Sequence, residues 1–176
     1  MDRRDEVLAL LLDELGIGVA ELQTFRGRRC LQKAVYLVQH PPLNRDFGFR
    51  YNLYIRGPYS PELADAGYRI VAEQEGSKQV RRQVKLKEDF ASQLRDLRRH
   101  FAGVQGASLD ADLMEVAATL HFLWTHTFNG IAPAAARMDR VRTWIAQNKA
   151  ELLGRVHEAL QKVCALGMLP REVCAL

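Results

Sequence analysis

Apolar residues recur at helical spacing along most of this chain of 176 residues. In the first segment Val7, Leu8, Leu11 and Leu15 occupy one face, and this spacing predicts an amphipathic helix. Further stripes of this kind predict helices through Cys30–Val38, Leu63–Val71, Phe90–Phe101, Leu113–Trp124, Val141–Leu152 and Val156–Val163. The chain is therefore predicted to be mostly helical.

The spacing of apolar residues changes to two between Phe47 and Ile55, where apolar and polar residues alternate. This pattern predicts a strand with one buried face, which the Gly57-Pro58 step is expected to break. A second strand is predicted from the alternation of Val80, Val84 and Leu86. Two strands alone would be marginally stable, so we expect them to lie against helices.

Three residues are predicted to cap helices. Thr24 precedes the second stripe, Ser60 is followed by Pro61 in the first helical position, and Ser108 precedes the fifth predicted helix. Gly67 lies inside the predicted helix that starts near Ser60. A mid-helix glycine costs about 1 kcal/mol relative to alanine, so a close neighbour is expected to require it.

The fold class predicted from these patterns is mainly α with a small antiparallel β-sheet, an α+β arrangement. We expect a compact helical domain with a winged-helix-like β element. No internal repeat or linker is visible, so residues 1–176 are predicted to form a single domain.

The charge of the chain is mildly basic, with a formal net charge of +4. Five basic residues and no acidic residue lie between Gly76 and Lys87. Solvated surfaces explain such clusters, but the same segment could form a basic wing that contacts nucleic acid. The residues that would make this contact are Arg81, Arg82, Lys85 and Lys87.

Compartment and metal content are constrained by what the sequence lacks. Its most apolar stretch is far short of the roughly 20 residues that span a bilayer, and the N-terminal segment lacks a small-residue cleavage site. A cytoplasmic protein without membrane association is predicted. The three cysteines include no C-x-x-C pair, so neither a metal site nor a cofactor is predicted, and Cys30 is expected to be a buried, reduced thiol.

Catalytic motifs are absent as well. The chain has no G-x-S-x-G, Walker or Rossmann pattern. Ser60 is sufficiently explained as a helix cap, because no base near it in sequence could activate it. His121 borders an apolar stretch and is predicted to be a hydrogen-bonded histidine of the core or its boundary.

All five tyrosines precede residue 69, and four of them lie between Tyr51 and Tyr68. Tyrosine combines an apolar ring with a polar hydroxyl, which suits half-buried positions and interfaces. The tyrosines could simply seal the corner between the strand and the next helix. Alternatively, several of them could line a recognition groove beside Lys33 and Arg56.

Three segments together carry a resemblance to a known family. They are "LQKAVYLVQ" from Leu31 to Gln39, "FGFRYNLYIRGPYSPEL" from Phe47 to Leu63, and "AATLHFL" from Ala117 to Leu123. In order and spacing they resemble the YwgA-like family of small bacterial and archaeal proteins, which is distantly similar to the Panacea domain of antitoxins. The Gln-Lys-x-x-Tyr and Gly-Pro-Tyr-Ser elements are the most specific parts of this resemblance.

The resemblance implies a compact, mainly helical fold with a small sheet and without an assigned catalytic activity. The kinship with the Panacea domain implies a binding role towards a protein partner, such as a toxin or a defence component. The motif positions carried over as partner-binding residues are Gln32, Lys33, Tyr36, Tyr51, Tyr54, Gly57, Pro58, Tyr59 and Ser60.

Three functions follow as hypotheses. The first is a non-catalytic binding module, an antitoxin-like or defence-associated regulator that acts through a protein partner. The alternative is a winged-helix-like transcriptional regulator that binds nucleic acid. The third is an uncharacterised enzyme, for which no catalytic residue is assigned.

Overall fold

The computed structural model describes residues 3–76, 85–103 and 108–175. Within these ranges the chain forms nine α-helices and two short strands. The α-helices are α1 (Arg3–Glu14), α2 (Val19–Leu22), α3 (Phe25–Val38), α4 (Pro61–Gly76), α5 (Glu88–His100), α6 (Ala111–Phe122), α7 (Ala134–Asn148), α8 (Val156–Ala165) and α9 (Arg171–Cys174). The strands are β1 (Asn52–Tyr54) and β2 (Gly57–Tyr59). The predicted mainly α fold with a small antiparallel sheet is confirmed.

Helix α6 lies at the centre of the molecule, in contact with α3, α8 and β2. All of its residues except Asp112 are buried, as expected for a helix that is apolar around most of its circumference. Helix α3 is buried without interruption from Cys30 to Val38. The two helices therefore form the middle of the core, and the polar residues that they carry are enclosed with it.

The sheet differs from the predicted one. β1 and β2 form a hairpin with a two-residue turn, in which Asn52 pairs with Tyr59 and Tyr54 pairs with Gly57. The predicted strand does end before Gly57-Pro58, but these residues begin β2, a second strand that was not predicted there. Gly57 adopts a φ of 81°, the left-handed region that allows so tight a return of the chain.

The predicted strand from Phe47 to Ile55 is regular only over Asn52–Tyr54. The side chain of Gln39 replaces a neighbouring strand for the preceding residues. Its Oε1 accepts hydrogen bonds from the Phe47 and Phe49 amides at 3.3 and 3.2 Å, and its Nε2 donates to the Phe49 carbonyl at 2.9 Å. A side-chain amide thus satisfies the backbone groups that a sheet would otherwise pair.

The second predicted strand cannot be followed completely, because Val80 and Val84 lie outside the described residues. Leu86, the third residue of that pattern, has no regular secondary structure.

Two of the three predicted caps are confirmed. Thr24 Oγ1 accepts a hydrogen bond from the Gly27 amide at 2.9 Å, and Ser60 Oγ accepts one from the Leu63 amide at 3.4 Å. Ser108 was the wrong residue for the start of α6. Asp110 caps this helix by accepting from the Asp112 and Leu113 amides.

Gly67 brings α4 and α3 close together, as its position inside a helix predicted. A Cβ atom at Gly67 would lie 2.8 Å from Leu31 Cδ2. The glycine therefore allows the close approach of the two helices.

The C-terminal part contains features that the sequence pattern did not predict. Helix α6 continues into a π-helical turn, Leu123–Thr127, and a 3-10 helix, Ala150–Arg155, connects α7 to α8. A disulfide joins Cys164 in α8 to Cys174 in α9, whereas Cys30 is a buried free thiol as expected. No helix in the described ranges has the length and apolar character needed to cross a membrane.

Candidate functional site

The two most specific sequence motifs bind each other through Gln32 and Ser60. Gln32 Nε2 donates to the Ser60 carbonyl at 2.9 Å, and Gln32 Oε1 accepts from the Ser60 amide at 2.8 Å. Both residues are buried. The side chain from α3 therefore fixes the backbone at the junction between β2 and α4.

Lys33 makes the second link between the two motifs. Its ammonium group is buried and donates to the Pro58 carbonyl at 2.8 Å. Burial lowers the pKa of Lys33 to about 7, and the nearby Glu115 carboxylate opposes this shift. The amine is thus a backbone anchor for β2, enclosed within the protein.

A buried ion pair holds the turn of the hairpin. Lys149, which follows α7, donates from Nζ to Glu115 Oε1 on α6 and to the Ile55 carbonyl, both at 2.6 Å. The side chains of Glu115 and Lys149 are almost completely buried. Arg29 lies on the other side of the carboxylate, with Nε 3.4 Å from Glu115 Oε2.

These contacts give the hairpin a fixed position that two three-residue strands would not provide alone. The carbonyls of Ile55, Pro58 and Ser60 are each bound by a buried side chain from outside the sheet. Gly57 lies directly against α6, since a Cβ atom there would be 2.5 Å from Thr119 Oγ1. The residues that the hairpin presents to solvent are therefore preorganised.

The hairpin forms one wall of an open cavity of about 420 Å³, which we call the hairpin groove. Its other walls are the N-terminal half of α3, the end of α2 and α4. Leu22 and Leu31 are the deeply buried apolar side chains of the lining, and Gly67 leaves space beside them. The volume lies within the range of about 300–1,000 Å³ that is typical of ligand-binding clefts.

The exposed hydrophobic side chains are concentrated at this groove. Five large hydrophobic residues are exposed in the part of the chain that the structure describes. Four of them line the hairpin groove: Phe25, Tyr54, Ile55 and Tyr68. Ile55 at the hairpin turn is 88% exposed, and only the fifth residue, Leu153, lies elsewhere. A cluster of this kind marks a site of interaction more often than scattered apolar residues do.

The charged residues that line the groove are all basic: Arg28, Arg29, Lys33 and Arg56. The guanidinium of Arg28 lies over the ring of Tyr68, and that of Arg29 lies over Phe25, each 5.9 Å from the ring centroid. Arg29 also forms an ion pair with Asp112 at the edge of α6. The groove thus combines an apolar lining with a positive rim.

The tyrosines separate into two groups. Tyr54, Tyr59 and Tyr68 line the hairpin groove, and the rings of Tyr54 and Tyr59 meet edge to face. Tyr36 and Tyr51 instead pack against each other away from the groove lining. The five tyrosines therefore do not form one recognition surface.

Tyr36 belongs to a cluster with histidines. Its hydroxyl is 2.9 Å from His121 Nδ1, and the rings of His121 and His126 lie 5.0 and 5.5 Å from that of His40. The prediction that His121 is a hydrogen-bonded core histidine is confirmed. Burial, together with charge repulsion from His40 and His126, lowers the pKa of His121 to about 3. Within the described ranges no three histidine, cysteine or acidic residues are placed to hold a metal ion.

The predicted partner-binding positions have two structural roles. Tyr54, Gly57, Tyr59, Gln32 and Lys33 border the hairpin groove. Pro58 in β2 and Ser60 directly after it are buried, and Tyr36 and Tyr51 pack against each other away from the groove. Whether these residues bind a partner stays a prediction.

The fold adds lining residues that sequence reasoning missed, among them Leu22, Phe25, Arg28 and Ala64. The signal for Phe25 was available, because an aromatic residue directly after the Thr24 cap lies on the exposed side of the α3 stripe. The remaining residues come from α2, α3 and α4, and only the tertiary structure brings these helices to one cavity.

Of the predicted nucleic-acid residues, Lys85 and Lys87 are exposed and border a second groove together with Arg45. Arg81 and Arg82 lie outside the described residues. The second groove also contains Asp46 and so carries both signs of charge.

Comparisons of the chain with protein-family models, with curated proteins and with solved structures find no match. The resemblance to the YwgA-like family therefore stays an expectation from the sequence motifs.

Proposed function

We propose that the protein is a non-catalytic binding module, an antitoxin-like or defence-associated regulator that acts by holding a protein partner in the hairpin groove. The observation that carries this proposal is the concentration of exposed Phe25, Tyr54, Ile55 and Tyr68 around one cavity. Exposed aromatic and aliphatic residues around a concave site are typical of protein interfaces.

The rigidity of the hairpin supports the same proposal. Gln32, Lys33 and Lys149 fix its backbone before any partner arrives, so binding does not have to order the turn. In this proposal Gln32 and Lys33 are positioning residues. The contacts are made by Tyr54, Ile55, Tyr59 and Tyr68. Ser60 is completely buried, so its hydroxyl serves the helix cap and does not face a substrate.

A peptide selection tests the proposal. Random peptides of about 12 residues are displayed and selected against the full chain, and the enriched peptides are then titrated against purified variants. Ile55→Ser and Tyr68→Ser should each weaken binding by about tenfold or more, or about 1.4 kcal/mol, because each removes a contact residue of the groove. Both side chains are mostly exposed, so the folded state should be retained.

Leu153→Ser is the matched control, since Leu153 is exposed but lies outside the groove. It should bind the selected peptides as the wild type does. The proposal fails if no enriched peptide distinguishes the groove variants from the Leu153 control.

A second candidate function is nucleic-acid binding, favoured by the exposed Lys85 and Lys87 beside Arg45. It requires an affinity for DNA or RNA that falls steeply with salt. Lys85→Ala combined with Lys87→Ala should then lower the affinity and the salt dependence together. Unchanged oligonucleotide binding by this double variant would exclude these two lysines as the contact.

A further inference from the structure

We infer that the hairpin groove receives an acidic segment of the partner, in which one large apolar side chain enters the cavity and a neighbouring carboxylate meets Arg56. The inference rests on the proposed function and specifies the chemistry of the partner. Its basis is the combination of an apolar cavity with a rim that carries only positive charge.

The cavity favours an apolar side chain over a polar one. Leu22 and Leu31 line its buried part, and the buried polar side chains beside them, Gln32 and Lys33, are already engaged. Gln32 is bound at both ends to Ser60, and Lys33 is bound to Pro58. An entering polar group would lose its hydration without gaining comparable hydrogen bonds.

The rim favours a carboxylate beside that apolar side chain. Arg28 already donates to the carbonyls of Leu22 and Gln23, and Arg29 is paired with Asp112. Arg56 is different, because it is exposed at the hairpin turn and its side chain makes no hydrogen bond or ion pair within the described ranges. A partner carboxylate near Arg56 would also lie in the positive field of Arg28, whose carbonyl partners leave its charge uncompensated.

A second copy of this chain is a poorer occupant. In a symmetric dimer the same surface meets itself, so Arg28, Arg29 and Arg56 of one copy would face those of the other. The chain as a whole also carries a net charge of +4. Like charges at an interface cost free energy and slow association.

A single-stranded nucleic acid also fits less well. Such ligands need aromatic faces for successive bases together with cations that follow the backbone. The buried apolar lining residues, Leu22 and Leu31, are aliphatic, as is Ile55 at the turn. The charge of Arg29 is paired with Asp112, which leaves Arg28 and Arg56 as two cations instead of a track of them.

The test uses the peptides selected on the full chain, each synthesised with its acidic residues and again with the corresponding amides. Arg56→Glu reverses the charge at the turn, and Arg140→Glu makes the same change at an exposed position of α7 outside the groove. We expect Arg56→Glu to weaken acidic peptides by about tenfold or more, while Arg140→Glu leaves the affinity unchanged. The amide versions should bind the wild type more weakly than the acidic peptides do, by a similar factor. Arg56→Glu should not weaken the binding of the amide versions any further.

The outcomes separate this inference from the proposed function. The inference would be overturned, and the proposed function retained, by peptides whose affinity depends on Ile55 in either of two cases. In the first the peptides carry no acidic residue, and in the second Arg56→Glu does not change their affinity. The absence of any groove-dependent peptide would overturn both.

Two further measurements address the other occupants. An oligothymidine of about 12 nucleotides that binds more tightly than every selected peptide, and that Arg56→Glu releases, would overturn the inference in favour of nucleic acid. A wild-type dimer in solution that Ile55→Ser converts to a monomer would overturn it in favour of a second copy.

Discussion

His121 shows how burial of a single side chain makes stability depend on pH. An unfolded histidine gains a proton below about pH 6.5, whereas the folded protein keeps His121 neutral because burial lowers its pKa to about 3. Between these two values the unfolded state binds more protons, so the free energy of unfolding falls as the pH falls. The stabilisation is complete above about pH 6.5.

We therefore predict that His121 lowers the free energy of unfolding by about 2 kcal/mol at pH 5 relative to pH 7. The measurement is urea denaturation at both pH values, with His121→Asn to remove the titrating ring. The free energy of unfolding of this variant should differ less between pH 7 and pH 5 than that of the wild type. His157 is exposed, so His157→Asn should show the same difference as the wild type. Equal pH dependence in all three proteins would contradict the prediction.

The buried ion pair between Glu115 and Lys149 should contribute strongly to stability. Glu115→Gln leaves the buried Lys149 ammonium without its carboxylate, and breaking a buried pair in this way costs about 3–5 kcal/mol. Asp139→Asn is the control, because Asp139 is exposed and its contact with Arg142 is long, at 3.9 Å. Similar unfolding free energies for the two variants would show that the buried pair has no special role.

The hairpin is the element whose position depends most on a side chain from elsewhere. Gln32→Met keeps roughly the volume of the side chain but removes both hydrogen bonds to Ser60. Each buried backbone group left without a partner costs about 1–3 kcal/mol. We predict a lower free energy of unfolding and faster amide hydrogen exchange in residues 52–60.

Gln161→Met is the control for this prediction, since Gln161 is exposed on α8 and contacts only the exposed His157 among the described residues. It should leave both stability and exchange near the wild-type values. If Gln32→Met destabilises the chain without faster exchange in the hairpin, Gln32 supports the core generally and does not position this element.

At the scale of the whole molecule, the Cys164–Cys174 disulfide ties the short α9 to α8 across a sequence separation of 10. Closing a loop of this length is worth about 3 kcal/mol by the chain-entropy argument. We predict that a reductant lowers the melting temperature of the wild type, as does replacement of both cysteines by serine. The reductant should not change the melting temperature of the double variant. A wild type whose melting temperature is also unchanged by the reductant would contradict the prediction.

The disulfide also bears on the expected compartment. The sequence argument for a cytoplasmic protein used the short apolar stretches and the missing cleavage site, and it did not foresee this bond. Cytoplasmic thiol systems reduce most structural disulfides, so the state of Cys164 and Cys174 in the cell is a direct measurement relevant to that prediction. The cytoplasmic location itself stays a prediction.

Most helices and several of their ends could be predicted from the sequence alone, because these features depend on neighbours within a few positions. Thr24 and Ser60 cap their helices with their own side chains, and the apolar stripes on α3 and α6 need only the helical period to be recognised. The alternation around Asn52–Tyr54 likewise indicated a strand. Its predicted length was wrong because the Gln39 side chain binds the backbone before it.

The contacts that the motif residues make could be seen only in the tertiary structure. The bonds from Gln32 to Ser60 and from Lys33 to Pro58 join residues 28 and 25 positions apart, and the Lys149–Ile55 bond spans 94. The same packing sends Tyr36 and Tyr51 to the histidines and Tyr54 and Tyr68 to the hairpin groove. Side-chain burial and partners of this kind depend on which helices meet in space, and no local spacing in the sequence encodes that.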